Sequence, residues 1–313
     1  MTFTRAGCWV WDFWLAVEGA DVHLFYLHAP TSLGDPELRH RNARIGHAVS
    51  TDLVHWRDLG PALPDAEPDD GDSLASWTGS VLRGPDGRWW MHYTGLSLRD
   101  GGARQRVIAA VSDDLVTWRR TPLSLEADPR WYEPEDWRDP WLHRDDAAGL
   151  WRMYLCARVT DGPPDGRGVL AQATSTDLEH WSVGPPVSAP GDLRQLEVPQ
   201  LLPVADRWAM LFCSSDLDHS AVRLARGAAR EYGTHVLYGD SPAGPFAAEA
   251  DAFLSGDNGP SLYAGRALEH GGRRWFLAWH RLDEHGDFTG GVSDPWPLDV
   301  VDRSLVVRFR PTR

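Results

Sequence analysis

Cysteine is scarce in this sequence, and basic charge is outnumbered. Cys8, Cys156 and Cys213 are the only thiols in 313 residues. An odd, sparse set without metal-ligand spacing argues against a disulfide framework or a thiolate metal site, and reads as free thiols in a reducing cytoplasm. Lys and Arg number 31 against 45 Asp and Glu, for a formal net charge of −14. That balance speaks against nucleic acid and an anionic membrane surface as main partners. No apolar run approaches membrane-spanning length. A basic start followed by an apolar run and a cleavage site is also missing, so a cytoplasmic location is expected.

What is abundant points to strands and turns. There are 17 Trp, 30 Gly and 23 Pro; aromatics favour strands and Gly and Pro punctuate turns. The segments "STDLVHW" (50–56), "SDDLVTW" (112–118) and "STDLEHW" (175–181) begin 62 and 63 residues apart, and a degenerate copy, "SPAGPF", follows at 241–246. A second series runs in parallel: "VHLFYLHA" (22–29), "RWWMHYTG" (88–95), "LWRMYLCA" (150–157), "RWAMLFCS" (207–214) and "RWFLAWHR" (274–281). Five repeats of this period predict an all-β fold, a single five-bladed β-propeller over residues 1–313 with no second domain. Trp56, Trp118 and Trp181 are expected to pack between neighbouring sheets, and Asp52, Asp114 and Asp177 to cap the turns. The tail "SLVVRFRP" (304–311) reads as a strand able to close the ring.

In a propeller the first strand of each sheet lines the central channel, where polar side chains need water or ligand to satisfy them. The five segments expected there are "WVWDFWLA" (9–16), "SWTGSVL" (76–82), "DWRDPWLH" (136–143), "LEVPQLL" (196–202) and "LYAGRAL" (262–268). They bring Asp12, Asp139 and Glu197 to what read as equivalent places in the first, third and fourth repeats. Carboxyls converging in one funnel suit glycosidic bond cleavage: one attacks or activates water, one protonates the leaving oxygen, and a third holds sugar hydroxyls. Crowding of like charges would raise the pKa of one member. Trp11, Trp14 and Trp77 are candidate floors for a sugar ring, Arg138 is placed to bind a hydroxyl or hold Asp139, and His47 is a candidate for stacking or hydroxyl binding. The histidines form no convincing metal set, and no cofactor is called for.

These residues resemble the five-bladed glycosidase propellers, most closely glycoside hydrolase family 32, the invertase and fructanase group. The resemblance is carried by "IGHAVSTDLVHWRDLGPAL" (45–63), "WTGSVL", "WRDPWL" and "LEVPQL". It implies Asp12 as nucleophile, Asp139 of the Arg-Asp-Pro motif as transition-state stabiliser, Glu197 as acid/base, and Ser80 within a substrate-contacting strand. The chain departs from that family's pattern. Trp11-Asp12-Phe13 replaces Asn-Asp-Pro and is more similar to the Trp-Asp-Ser-Trp of family 68 levansucrases; Glu197-Val198-Pro199 replaces Glu-Cys-Pro. The C-terminal β-sandwich typical of family 32 is not expected here.

The resemblance implies a retaining hydrolase acting on a β-fructofuranoside or a short fructosyl saccharide. Three alternatives stay open: a fructosyl transferase, an inverting arabinofuranosidase- or xylosidase-like enzyme of the more distant family 43, and a non-catalytic sugar-binding propeller. The expected partner is a small saccharide or glycoside. Oligomeric state is not legible.

Overall fold

The computed structural model describes residues 2–249, 253–255 and 261–309. Among the described residues, twenty strands form five antiparallel sheets of four, each built from strands consecutive in sequence. The innermost strands are Cys8–Glu18, Ala75–Arg83, Tyr132–Asp145, Glu197–Val204 and Leu262–His270. Each touches the innermost strands of the sheets on either side, and the fifth touches the first. The five sheets are therefore blades of a closed ring, the propeller expected from the repeat.

The five aromatic runs are the second strands: Asp21–Pro30, Trp89–Leu96, Leu150–Val159, Arg207–Ser214 and Arg273–His280. Both faces of these strands are covered by neighbouring blades, so Phe25, Tyr93, Met153, Met210 and Phe276 are all buried. That explains why they read as nearly continuous apolar segments rather than alternating ones.

The repeated "S-x-D-L-x-x-W" segments follow the third strands Arg44–Ser50, Arg106–Ser112 and Gly168–Ser175. In each, the Asp side chain accepts backbone N–H bonds from the two residues beginning two positions on: Val54 and His55, Val116 and Thr117, Glu179 and His180. The following leucine takes a left-handed backbone, with φ of 64°, 63° and 69° at Leu53, Leu115 and Leu178. The tryptophan indole then donates to that leucine's carbonyl. So fixed, Trp118 meets Phe25 of the preceding blade edge-to-face at 5.6 Å, and Trp181 meets His92 at 5.4 Å. The motif is thus an inter-blade wedge.

Ring closure differs from expectation. Ser304–Val307 of the tail is the outer strand of blade five and pairs only with Trp296–Val301 of the same blade; Arg310 and Pro311 lie outside the described residues. The seam is tied instead by the N-terminal segment, where Phe3 and Val292 exchange backbone hydrogen bonds and Gly291 N–H donates to Val10 O at 2.7 Å. The tail finds no place in blade one, because that sheet already has its four strands.

Trp118→Ala is expected to cost about 3–5 kcal/mol through the cavity left between blades one and two. Urea unfolding measures it, and a loss below about 1 kcal/mol would refute the wedge role.

Candidate active site

Each innermost strand breaks its pairing register at a corresponding point, and that of blade three breaks a second time nearer Tyr132. The extra residues are Asp12 between Trp11 and Phe13, and Thr78 between Trp77 and Gly79. Corresponding breaks fall at Asp139–Pro140, Val198–Pro199 and Ala264–Gly265. A β-bulge bends the strand and re-aims a side chain. In blades three, four and five the bulge residue has a positive φ: 60° at Asp139, 54° at Val198 and 47° at Ala264. Such a conformation is strained for a residue with a Cβ and persists only where the surroundings enforce it. The residue after it suits the bulge. Pro140 and Pro199 have no N–H to leave unpaired, and a Cβ at Gly265 would sit 2.3 Å from the Phe276 ring.

The bulges open onto one cavity of about 310 Å3 at the channel mouth. Asp12, Asp139 and Glu197 all line it. Their places are not equivalent, however. Asp12 and Asp139 are bulge residues, aligned with Thr78, Val198 and Ala264. Glu197 stands one position earlier, aligned with Trp11, Trp77, Arg138 and Tyr263. The cavity is thus lined by the bulge residues Asp12, Thr78 and Asp139 and by the residue just before the bulge in all five blades.

Asp12 accepts from Thr78 Oγ1 at 2.9 Å and from Trp279 Nε1 at 2.8 Å, so blades two and five fix a carboxyl of blade one. Burial, with the nearby Glu197 charge adding to it, lifts its pKa above the ordinary Asp value against those two donors. Asp139 is 4% exposed. Its backbone N–H donates to Thr94 Oγ1, and its Oδ2 accepts from Val198 N at 3.1 Å. Burial raises its pKa to about 7; Arg138 opposes this, while Asp12 and Glu197 reinforce it. Glu197 is gripped on both oxygens: Arg138 Nη2 donates to Oε1 at 2.7 Å and the Tyr263 hydroxyl to Oε2 at 2.5 Å. Arg138 also donates to Asp136 and Gln195, and Gln195 donates back to Asp136. The arginine therefore has one orientation available to it.

One wall is aromatic. Trp11 and Trp77 line the cavity; Trp77 Nε1 donates to His40 O at 2.7 Å, and Arg39 lies over the Trp11 ring at 5.7 Å. Tyr232 and Tyr263, 4.7 Å apart between ring centres, and Trp279 line the cavity as well. Flat apolar faces beside fixed carboxyls suit a sugar ring, which is apolar on its faces and polar at its edge.

Three of the sequence-selected residues lie elsewhere. Trp14 is fully buried and stacked on Phe25 at 6.0 Å; it shares a sheet face with Trp11 but stands further along the strand, in the core. Ser80 is buried and accepts from Leu142 N at 3.1 Å, tying blade two to blade three. His47 sits in the third strand of blade one, out of reach of the channel; its Nε2 is 2.9 Å from His23 Nδ1, and its ring stacks on Phe25. None of the three lines the cavity. Conversely, Thr78, Arg39, His40, Gln105, Asp136, Tyr232, Tyr263 and Trp279 do. Thr78 and Tyr263 were legible had the five innermost segments been aligned position by position. Arg39 and His40, in the turn Pro36–Arg41, and Tyr232 carry no such signal. Among the described residues no group of His, Cys, Asp and Glu is arranged to hold a metal ion.

Fold and site together define a five-bladed propeller with a carboxyl-lined central pocket. A family model described as Glycosyl hydrolases family 32 N-terminal domain matches residues 16–297, and the chain belongs to that family. The match begins past Asp12, so that residue is placed by geometry alone. Among curated proteins, the chain is 33% identical to "Beta-fructofuranosidase, insoluble isoenzyme 6" of Oryza sativa subsp. japonica over 69% of this chain and 34% of that one. It is 30% identical to "Fructan 6-exohydrolase" of Triticum aestivum over 59% of this chain and 31% of that one. The matched stretch thus spans about a third of the length of these relatives. Among solved structures, "Inulosucrase from Halalkalicoccus jeotgali bound to kestose" superposes with a TM-score of 0.79 at 22% identity, covering 97% of this chain and 87% of that one. The "Microbacterium saccharophilum K-1 beta-fructofuranosidase catalytic domain" gives 0.77 at 17%, covering 98% and 82%. At these identities the structural likeness establishes the fold.

Removing the charge of Asp139 tests the electrostatics. With a folded pKa near 7 and an unfolded one near 4, its contribution to stability is present in acid and lost as pH rises through about 7. Asp139→Asn is therefore expected to gain in Tm relative to the parent as pH rises from 4 to 8, by about 2 °C or more. Scanning calorimetry across pH checks it; a pH-independent difference would contradict the raised pKa.

Proposed function

We propose that this chain is a glycoside hydrolase that cleaves a β-fructofuranoside, or a short fructosyl saccharide, with retention of configuration. The observation that carries the reading is the convergence of Asp12, Asp139 and Glu197 in one aromatic-walled cavity, in a chain of family 32. Relatives named for β-fructofuranosidase and fructan exohydrolase activities support the fructosyl substrate. A cavity of about 310 Å3 has room for one or two sugar rings.

In the proposed reaction an Asp12 oxygen, held by Thr78 and Trp279, forms a bond to the anomeric carbon as the bond to the leaving oxygen breaks. Glu197, oriented by Arg138 and Tyr263, gives its proton to that oxygen. Asp139 holds ring hydroxyls while positive charge develops on the ring. Water then enters, loses a proton to Glu197, and displaces Asp12, so that two inversions restore the starting configuration. A hydroxyl acceptor in place of water would make the same chain a transferase.

Glu197→Gln and Asp12→Ala are each expected to lower kcat on a fructoside by about 1,000-fold or more while leaving the circular dichroism unchanged. Product NMR on sucrose and short fructosyl saccharides, with and without added acceptor, reads the rest. A first-formed sugar of inverted configuration would overturn the mechanism. Tight saccharide binding without turnover would make this a binding protein instead.

A further inference from the structure

Among the described residues, Arg266 is the large charged side chain that is almost completely enclosed: it is 1% exposed, on the innermost strand Leu262–His270, two residues after the bulge at Ala264. No described carboxylate lies within ion-pair distance of it. Its bonds are to backbone carbonyls of two other blades. Nε donates to Phe13 O at 3.1 Å, and Nη1 to Val198 O at 3.2 Å and Pro199 O at 2.7 Å. Phe13 directly follows Asp12, and Val198 and Pro199 directly follow Glu197. The guanidinium also lies over the Trp141 ring at 5.4 Å, and its Nη2 is buried without a partner.

A cation this deep is costly unless nearby charge offsets its desolvation. We propose that Arg266 is a positioning residue of the active site: it fastens the bulges that carry Asp12 and Glu197 to blade five, and sets a buried cation in the field of Asp12 and Asp139. The proposal rests on the hydrolase reading above.

Two observations agree with this geometry. Burial draws the Arg266 pKa down to about 10, with Cys213, Asp139 and Asp12 opposing that fall. Reciprocally, Arg266 favours the ionised form of Asp12, against burial and Glu197. The charged and titratable groups around Asp12 are then Glu197 of blade four, Asp139 and Arg138 of blade three, Arg266 of blade five, and Cys213 and Tyr232. Arg266 is the cation among them that contacts no acid directly. A lysine at 266 would retain charge but not the planar fork that reaches carbonyls of both blades.

The test compares Arg266→Met and Arg266→Lys with the parent, alongside Glu197→Gln, on a fructoside that the parent cleaves. Removing the cation is expected to lower kcat by about 100-fold, the scale of a misplacement of about 1 Å. It is also expected to move the acid limb of the kcat/KM profile to higher pH, because Asp12 loses a charge that favours its ionised form. Arg266→Lys is expected to restore the acid limb but only part of kcat. A folded Arg266→Met with the parental acid limb and kcat overturns the proposal. Where the Met variant does not fold, the Lys variant decides: parental kcat there removes the fastening role. Failure of the underlying hydrolase reading would look different, as a parent without turnover or a fully active Glu197→Gln.

Discussion

The central constraint on this protein is that five strands must end their regular pairing at one height around a shared axis. Near that axis the blades crowd, and each innermost strand responds with a bulge. Everything chemical depends on that irregularity. It turns Asp12, Thr78 and Asp139 toward one cavity, and it puts the preceding residues, including Glu197 and Tyr263, on the wall of that cavity. Three of the five bulges keep a non-glycine residue at positive φ, a strained state that inter-blade hydrogen bonds around Asp139 and Val198 help to hold.

Charge then becomes the organising problem. Acids sharing a small, partly dry space cannot all ionise readily. The fold divides the burden by giving each carboxyl donors from different blades: Thr78 and Trp279 for Asp12, Val198 N for Asp139, Arg138 and Tyr263 for Glu197. Asp139 still keeps a proton up to near neutrality. The aromatic walls sharpen these effects by excluding water, and Asp136 with Gln195 prevents Arg138 from swinging away.

The ring that makes this possible is held by contacts between innermost strands and by wedges further out, not by a shared strand. The Asp-capped turns present Trp118 and Trp181 to the preceding blades, and the Phe3–Val292 pairing closes the seam. This division suits a site fed by several blades. The buried aromatic second strands supply apolar core away from the cavity, whose polar groups would be strongly destabilising in a continuous core.

The sequence by itself determined the architecture and the three acids that the cavity gathers. Blade number follows from a repeat whose turn chemistry is local: Asp52, Asp114 and Asp177 bond their own backbone, so their spacing is readable without coordinates. Only the tertiary structure decided which side chains face the cavity. A bulge shifts the alternation of a strand by one residue, so Trp11 and Trp14, opposite Leu27 and Phe25, share a sheet face; Trp11 lines the pocket, while Trp14, further along the strand, is core. The same shift placed Glu197 one position out of step with Asp12 and Asp139. Arg39, His40 and Tyr232 reach the site from connections outside the repeat. Periodicity records what every blade shares; the site is made from what each blade does differently at one point of closest approach.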